Sequence, residues 1–432
     1  MGRKKRVPTK KVAEFADSAG SKAESNAGSD SDDATSEVSH LSLDTESVMG
    51  ETEDSTAADA AGERQDLSTD LLRNKLAEQL DLATHKTVSV RQGALLSLTT
   101  LLSRHYLPEV VGAYKATTLD LVEKCIRKSA DDARLAARLV ALLALQLGSD
   151  AAEICIKVAA QIRPICTDDA AGKAFRAECC YSLGLISYLA IDELESLEQT
   201  IKSFRHVWTS VKSGNAPPDA ADLFSAAISC WILTVSQLPK RRIEEVLVSD
   251  VPKVCSYLDC SQLDIRLAAG EALAFAYELG TTQLDPNYRP SNHQQTIELL
   301  SQLANDSLRH RGKKDRRIQR SNFRQIFGAV KEKDPPYVKL QFGEGEQLLL
   351  DSWSRKACYE TCCHMLLGAI PLQLRHNTFL RDVFDLGPPV DVSALVRMTK
   401  NEKQAMYSAN EKARKQSRGK QRDKRSEQLG AD

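Results

Sequence analysis

The sequence predicts a mainly α protein: a HEAT/armadillo-like α-solenoid, then a small α+β C-terminal module, then a long basic C-terminal helix. Three observations predict it. The 21 glycines and 14 prolines in 432 residues are about 8% of the chain, below a usual ~12%, which disfavours a turn-rich β fold. Aromatic residues make up 5%, so a core must be built from Leu, Ala, Val and Ile. Finally, amphipathic stretches recur at the ~40–47-residue period of two-helix solenoid units.

Residues 1–66 read as a disordered tail, basic and then acidic. Six bases and no acid fall within residues 1–11; fifteen acids and two bases fall within 12–66. Apolar residues there are too sparse to offset the entropy of ordering. The stretch from Ser29 to Asp33 (SDSDD) suits acidophilic kinases, although a solvated tail is the simpler reading. Lys4, Lys5 and Arg6, within KKRVPTKK, resemble a nuclear localisation signal; contact with nucleic acid is the plainer alternative. No apolar run is read as long enough to span a membrane, and no signal-peptide core follows the basic start. Eleven cysteines in so long a chain are expected to be reduced thiols in cytosol or nucleus rather than a disulfide scaffold.

Residues 67–309 carry the repeats. LLRNKLAEQLDLA (71–83), DDARLAARLVALLALQLG (131–148), AECCYSLGLISYLA (177–190) and LDIRLAAGEALAFAYELG (263–280) place apolar residues three and four apart, a wide stripe on one helix face. Arg91, Arg134, Arg176 and Arg266 begin comparable segments at spacings of 43, 42 and 90, with ADLFSAAISCWILTV (221–235) filling the skipped unit. The arginine stems are expected to lie along neighbouring helices. Gly93, Ala94, Ala136, Ala137, Ala268, Ala269 and Gly270 are expected to allow close approach.

Residues 310–392 form the predicted α+β module. A basic run passes into an amphipathic helix with Phe323, Ile326, Phe327 and Val330 on its apolar side, ended by Pro335 and Pro336. YVKLQF and QLLLDSW around GEGE read as a hairpin. Helices from Ser354 to Ile370 and through FLRDVFDL follow. Residues 393–432 then form the basic helical tail. Lys412, Arg414, Lys415, Arg418, Lys420, Arg422, Lys424 and Arg425 face a single acid, Asp423. As a helix this run is a self-repelling rod, approaching ~50 Å at 1.5 Å per residue when continuous with the stretch from Ser393, best stabilised by phosphates around it, and RNA suits it better than sequence-specific DNA.

Catalysis finds little support. The chain has none of the phosphate-loop, dinucleotide, zinc-protease or serine-hydrolase motifs. Cys358, Cys362, Cys363 and His364 are the best metal candidates, yet one helix cannot aim all four at a tetrahedral ion. Buried thiols are the simpler reading. No metal, cofactor, small-molecule substrate or membrane partner is expected.

FRQIFGAV (323–330), LDSWSRKACYETC (350–362), NTFLRDVFDLGPPV (377–390) and the tail KARKQSRGKQRDKR, in this order after an acidic Ser-rich start and a helical region, resemble the interferon-related developmental regulators. The signature positions are Trp353, Phe379, Leu380, Arg381, Phe384, Gly387, Pro388 and Pro389. The resemblance implies regulation without catalysis, in cytoplasm and nucleus. Its first implied role is binding of ribosomes or rRNA, with the basic helix (Ser408 through Arg425 here) in the mRNA path and the ribosome held inactive. Its second is transcriptional co-regulation, with the solenoid as a scaffold for transcription factors or histone deacetylase complexes and other protein partners on its surface.

Overall fold

The computed structural model describes residues 58–305, 313–343 and 346–390, with positions 404, 405, 408, 409 and 412 beyond them. Six helix pairs follow one another. They are α1 (Ala58–Leu82) with α2 (Val88–Arg104); α4 (Lys115–Ile126), after the short α3 (Pro108–Ala113), with α5 (Ala130–Leu147); and α6 (Ala152–Thr167) with α7 (Lys173–Leu189). Next come α8 (Leu194–Ser210) with α9 (Ala221–Val235), α10 (Lys240–Cys255) with α11 (Leu263–Leu279), and α12 (His293–Asn305) with α13 (Lys313–Glu332). The second helices of these pairs pack in an unbroken row, α2 on α5, then α7, α9, α11 and α13. The α-solenoid is therefore real. Its stack runs to Glu332, because α13 packs on both α11 and α12. At the other end α1 starts at Ala58, inside the stretch expected to be tail, where ADAAGERQD supplies good helix formers.

The row is held by packing of apolar residues, large and small. In α9 the side chains of Phe224, Ala227, Ile228, Cys230, Trp231, Leu233 and Val235 are fully buried, because this helix has neighbours on two sides. Gly184 of α7 lets α9 approach so closely that an added Cβ would lie 2.5 Å from the Cys230 side chain. Gly270 does the same for Phe323 and Ile326 of α13, at 2.9 Å. Gly93 is exposed with nothing within 4 Å, so it has no such role.

Three of the four repeat arginines are equivalent, and the fourth is not. Arg91, Arg176 and Arg266 are each the fourth residue of their helix and turn the guanidinium back onto the preceding loop. Arg91 donates to the carbonyls of His85 and Lys86, Arg176 to Cys166, and Arg266 to Cys260 and Ser261. They bind carbonyls of the connecting loop, or for Arg176 of the last turn of α6, that lack helical partners, and Arg176 also reaches Asp169 of the loop. Arg134 is the fifth residue of α5, half-buried, and has no such loop contact. In its unit the preceding residues do the linking: Asp132 receives Arg91 at 2.7 Å, and Ser129 caps the helix.

The expectation that no apolar run reaches membrane-spanning length needs correcting. Ala130–Thr167 contains a window apolar and long enough to cross a membrane, 67% of it buried in the stack. The cause is packing on two sides: α5 has neighbours in α2, α4 and α7. Gly148, at φ 57°, also breaks the segment between α5 and α6.

After α13 come strands β1 (Val338–Gln341) and β2 (Gln347–Leu350), antiparallel with Val338 opposite Leu350. The helix predicted from Ser354 to Ile370 is divided. α14 (Trp353–Leu366) stops where Leu367 turns left-handed at φ 53°, and α15 (Ile370–His376) and α16 (Thr378–Val383) follow. The helix predicted beyond Ser393 lies outside the described residues, apart from the few positions named above.

Candidate functional site

The C-terminal segment is laid back across the solenoid. α14 packs on α11, α9, α7, α5 and α2, and α15 reaches α2. It thus crosses one face of the row in reverse order, from the fifth repeat to the first, as a strap. Each end is fixed by polar contacts between the strap and the row. At the start, Glu278 of α11 accepts the backbone N–H of Trp353 at 2.7 Å and of Ser354 at 3.1 Å, so a carboxylate caps the positive end of α14. Burial pushes the Glu278 carboxyl above its ordinary value, against those two hydrogen bonds. One turn on, Lys356 bridges Glu271 of α11 (2.8 Å) and Glu360 (2.7 Å). Burial would lower its pKa, but the two carboxylates prevail and hold it raised. At the far end, Gln373 and Gln146 donate to the last carbonyls of α2, both reaching Leu102, and Asn377 donates to Leu145 at 2.8 Å.

The signature residues are the fittings of this strap. Trp353 is buried at its first turn, with Lys356 Nζ 5.5 Å from the ring centroid. Phe379 fills the space over Gly148, where a Cβ would come within 2.8 Å of its ring. Leu380 and Phe384 are buried, Phe384 edge-on to Tyr359 at 6.3 Å. Arg381 is 1% exposed and donates to the carbonyls of Leu374 (2.7 Å), Gly387 (2.7 Å) and Pro388 (2.9 Å) and to Glu346. Gly387 adopts φ 73°, a left-handed turn that needs no Cβ, while Pro388 and Pro389 are exposed beyond it. In the sequence Glu346 is simply part of the hairpin turn. No sequence signal marks it as the partner of an arginine 35 residues away.

The four candidate metal ligands do not converge. Cys358 and Cys362 are buried, and the hydrogen bond from one to the other, with burial, pushes the Cys362 thiol up. Burial pushes Cys363 up to about 12. His364 stacks on Tyr181 with ring centroids 3.8 Å apart. Among the described residues no His/Cys/Asp/Glu group is arranged to hold a metal.

Of the eight proposed phosphate contacts, Lys412 is described, and it is helical and exposed. Arg414, Lys415, Arg418, Lys420, Arg422, Lys424 and Arg425 lie outside the described residues, as do Lys4, Lys5 and Arg6.

A helical-repeat scaffold strapped by its own C-terminal segment is thus the class of protein that this geometry defines. A family model described as interferon-related developmental regulator matches residues 37–331, and one described as interferon-related protein conserved region matches 377–426. Interferon-related developmental regulator 1 of Mus musculus is 31% identical over 412 residues, covering 92% of this chain and 90% of that protein. The Homo sapiens protein of that name is 30% identical over 414 residues with the same coverage. Interferon-related developmental regulator 2 of Mus musculus is 31% identical over 391 residues, 88% of each chain. The chain belongs to the interferon-related developmental regulator family. Among solved structures, a designed armadillo repeat protein aligns at a TM-score of 0.39 and 12% identity, over 59% of this chain and 100% of that one.

Proposed function

We propose that the protein is a non-enzymatic regulator that binds ribosomes through rRNA and holds them inactive by occluding the mRNA path with its basic C-terminal run. The observation that carries this reading is the charge between Lys412 and Arg425, eight bases against one acid. That density suits a polyanion whose phosphates relieve the repulsion within the run. The strapped solenoid is the body that docks, and the run supplies the phosphate contacts. The strap also argues against a scaffold that takes peptides on the same face of the row, since α14 already packs there. Sucrose-gradient sedimentation tests the reading. The native protein should migrate with ribosomes, RNase should release it, and removal of residues 408–432 should leave it in the light fractions. Co-sedimentation unchanged by that removal overturns it.

A second role, as a nuclear co-regulator scaffold for transcription factors or deacetylase complexes, is favoured by the basic string at the N-terminus. On this reading the protein divides between cytoplasm and nucleus. Replacing Lys4, Lys5 and Arg6 with alanine should exclude it from the nucleus, and an unchanged distribution counts against import through that string.

A further inference from the structure

The charge pattern of the chain contains a second basic block, ten bases and two acids within residues 309–333. The tail-based reading leaves this block unused. Part of it lies on α13, the terminal helix of the row, and there the structure gives it a direction. The side chains of Gln319, Phe323, Ile326, Ala329 and Val330 are buried against the solenoid. Arg317, Arg320, Arg324 and Lys331 are exposed. At 100° per residue these four fall within an arc of about 60°, roughly opposite the buried face, along ~21 Å of helix. No acid interrupts the arc between Arg317 and Lys331. Elsewhere, exposed arginines often sit beside acids, as Arg242 does beside Glu198 and Glu245. Arg317 and Arg324 have no ion-pair partner among the described residues, and Lys331 lies over the Phe327 ring, 5.1 Å from its centroid.

We infer that this stripe on α13 is a second phosphate-contact surface, which takes the sugar-phosphate backbone of structured RNA. The inference rests on the RNA-binding reading above and extends it from the tail to the solenoid body. Charge complementarity selects the partner. A one-signed row of guanidinium and ammonium groups at helical spacing matches a line of phosphates, and an A-form duplex keeps its major-groove base edges out of reach of such side chains. Pre-organisation distinguishes it from the tail. Phe323 and Ile326 seat closely over Gly270, and Gln319 accepts from Arg266 at 2.7 Å, so α13 is fixed before RNA arrives. The row then presents its charges without a cost for ordering the backbone, while the tail must overcome its own repulsion.

The test is binding of a labelled 20-base-pair RNA duplex to the full chain, followed by fluorescence anisotropy from low to moderate salt. R317A/R324A should weaken binding at least tenfold and lower the log–log salt slope by about 1.4–1.8, at ~0.7–0.9 per lost contact. R317K/R324K, which keeps the charges, should bind within a few-fold of the parent. Circular dichroism of both variants should match the parent, since both positions are exposed. An affinity and slope unchanged in R317A/R324A overturn the stripe, provided that the parent binds the duplex. No binding by the parent overturns the RNA reading itself, and the stripe with it. Capture of polyglutamate by these arginines in preference to RNA points to an acidic protein partner and overturns the assignment to phosphate.

Discussion

Arg381 and Glu346 form a buried ion pair, Nη2 to Oε1 at 2.7 Å, with side chains 1% and 6% exposed. One residue comes from the last helix of the strap and the other from the hairpin, so the pair joins the two parts of the C-terminal segment. The remaining guanidinium donors are taken up by the carbonyls of Leu374, Gly387 and Pro388. The arginine within FLRDVFDL is thus a structural centre of this chain's C-terminal segment.

Removing one partner of such a pair leaves a buried charge uncompensated, at a cost of about 3–5 kcal/mol. R381M should reach the upper end, because it also deprives three carbonyls of a donor. E346Q, which keeps an acceptor for the guanidinium, should cost less. Urea unfolding of both variants checks the order; an R381M protein as stable as the parent contradicts this account.

Close approach of α7 and α9 makes Gly184 intolerant of a methyl group. With Cys230 Cβ and Sγ 2.5 Å from the added atom and its Cα at 3.3 Å, one of the helices must shift. G184A should destabilise by about 1–3 kcal/mol, the usual cost of overpacking. In G184A/C230A part of that loss should return, since Sγ is gone while Cβ remains. By contrast G93A, in open space, should be neutral or slightly stabilising in thermal unfolding.

Glu278 should leave a pH signature on stability. Burial raises its carboxyl in the folded state above the ordinary carboxylate value. Between those two values the folded chain holds a proton that the unfolded chain has released. The contribution is therefore fully present below about pH 4.5 and declines as pH rises through the folded value, by at most about 1.4 kcal/mol per pH unit. E278Q lacks this titration. The parent should gain stability relative to E278Q as pH falls from 7 to 5, read as a change in the difference between their urea midpoints. A constant difference removes Glu278 from the pH response.

Ribosome binding through the tail carries a numerical expectation. Were all eight bases from Lys412 to Arg425 to meet phosphates, the log–log salt slope would reach about 6–7, at ~0.7–0.9 per contact. Charge-reversing Lys412, Arg414 and Lys415 together should reduce the slope by about 2–3. A slope near zero in the parent means that the contact is not made with phosphates.

The solenoid was legible in the sequence because its helices bury broad apolar stripes, and such stripes must repeat wherever the same pair of helices repeats. The register was less legible. Arg134 sits within the arginine spacing, yet it is one position late in its helix and does not bind the loop, because spacing along a chain does not reveal the position within a helix turn. Of the four candidate ligands at 358–364, Cys358 and Cys362 share a helix face, while Cys363 and His364 turn away because each residue advances about 100° around the helix.

By itself the sequence determined the class of fold, the period of the repeat, the hairpin and the segregation of charge, all consequences of local pattern and composition. Only the tertiary structure decided that residues 353–383 return across the row of helices. That path depends on Glu278 capping Trp353, on Gln373 reaching Leu102 and on Arg381 meeting Glu346. These contacts join residues 35 to 271 positions apart, and no local periodicity encodes such a pairing. The strap forms because buried donors and acceptors must find partners, and the nearest ones lie on distant parts of the chain.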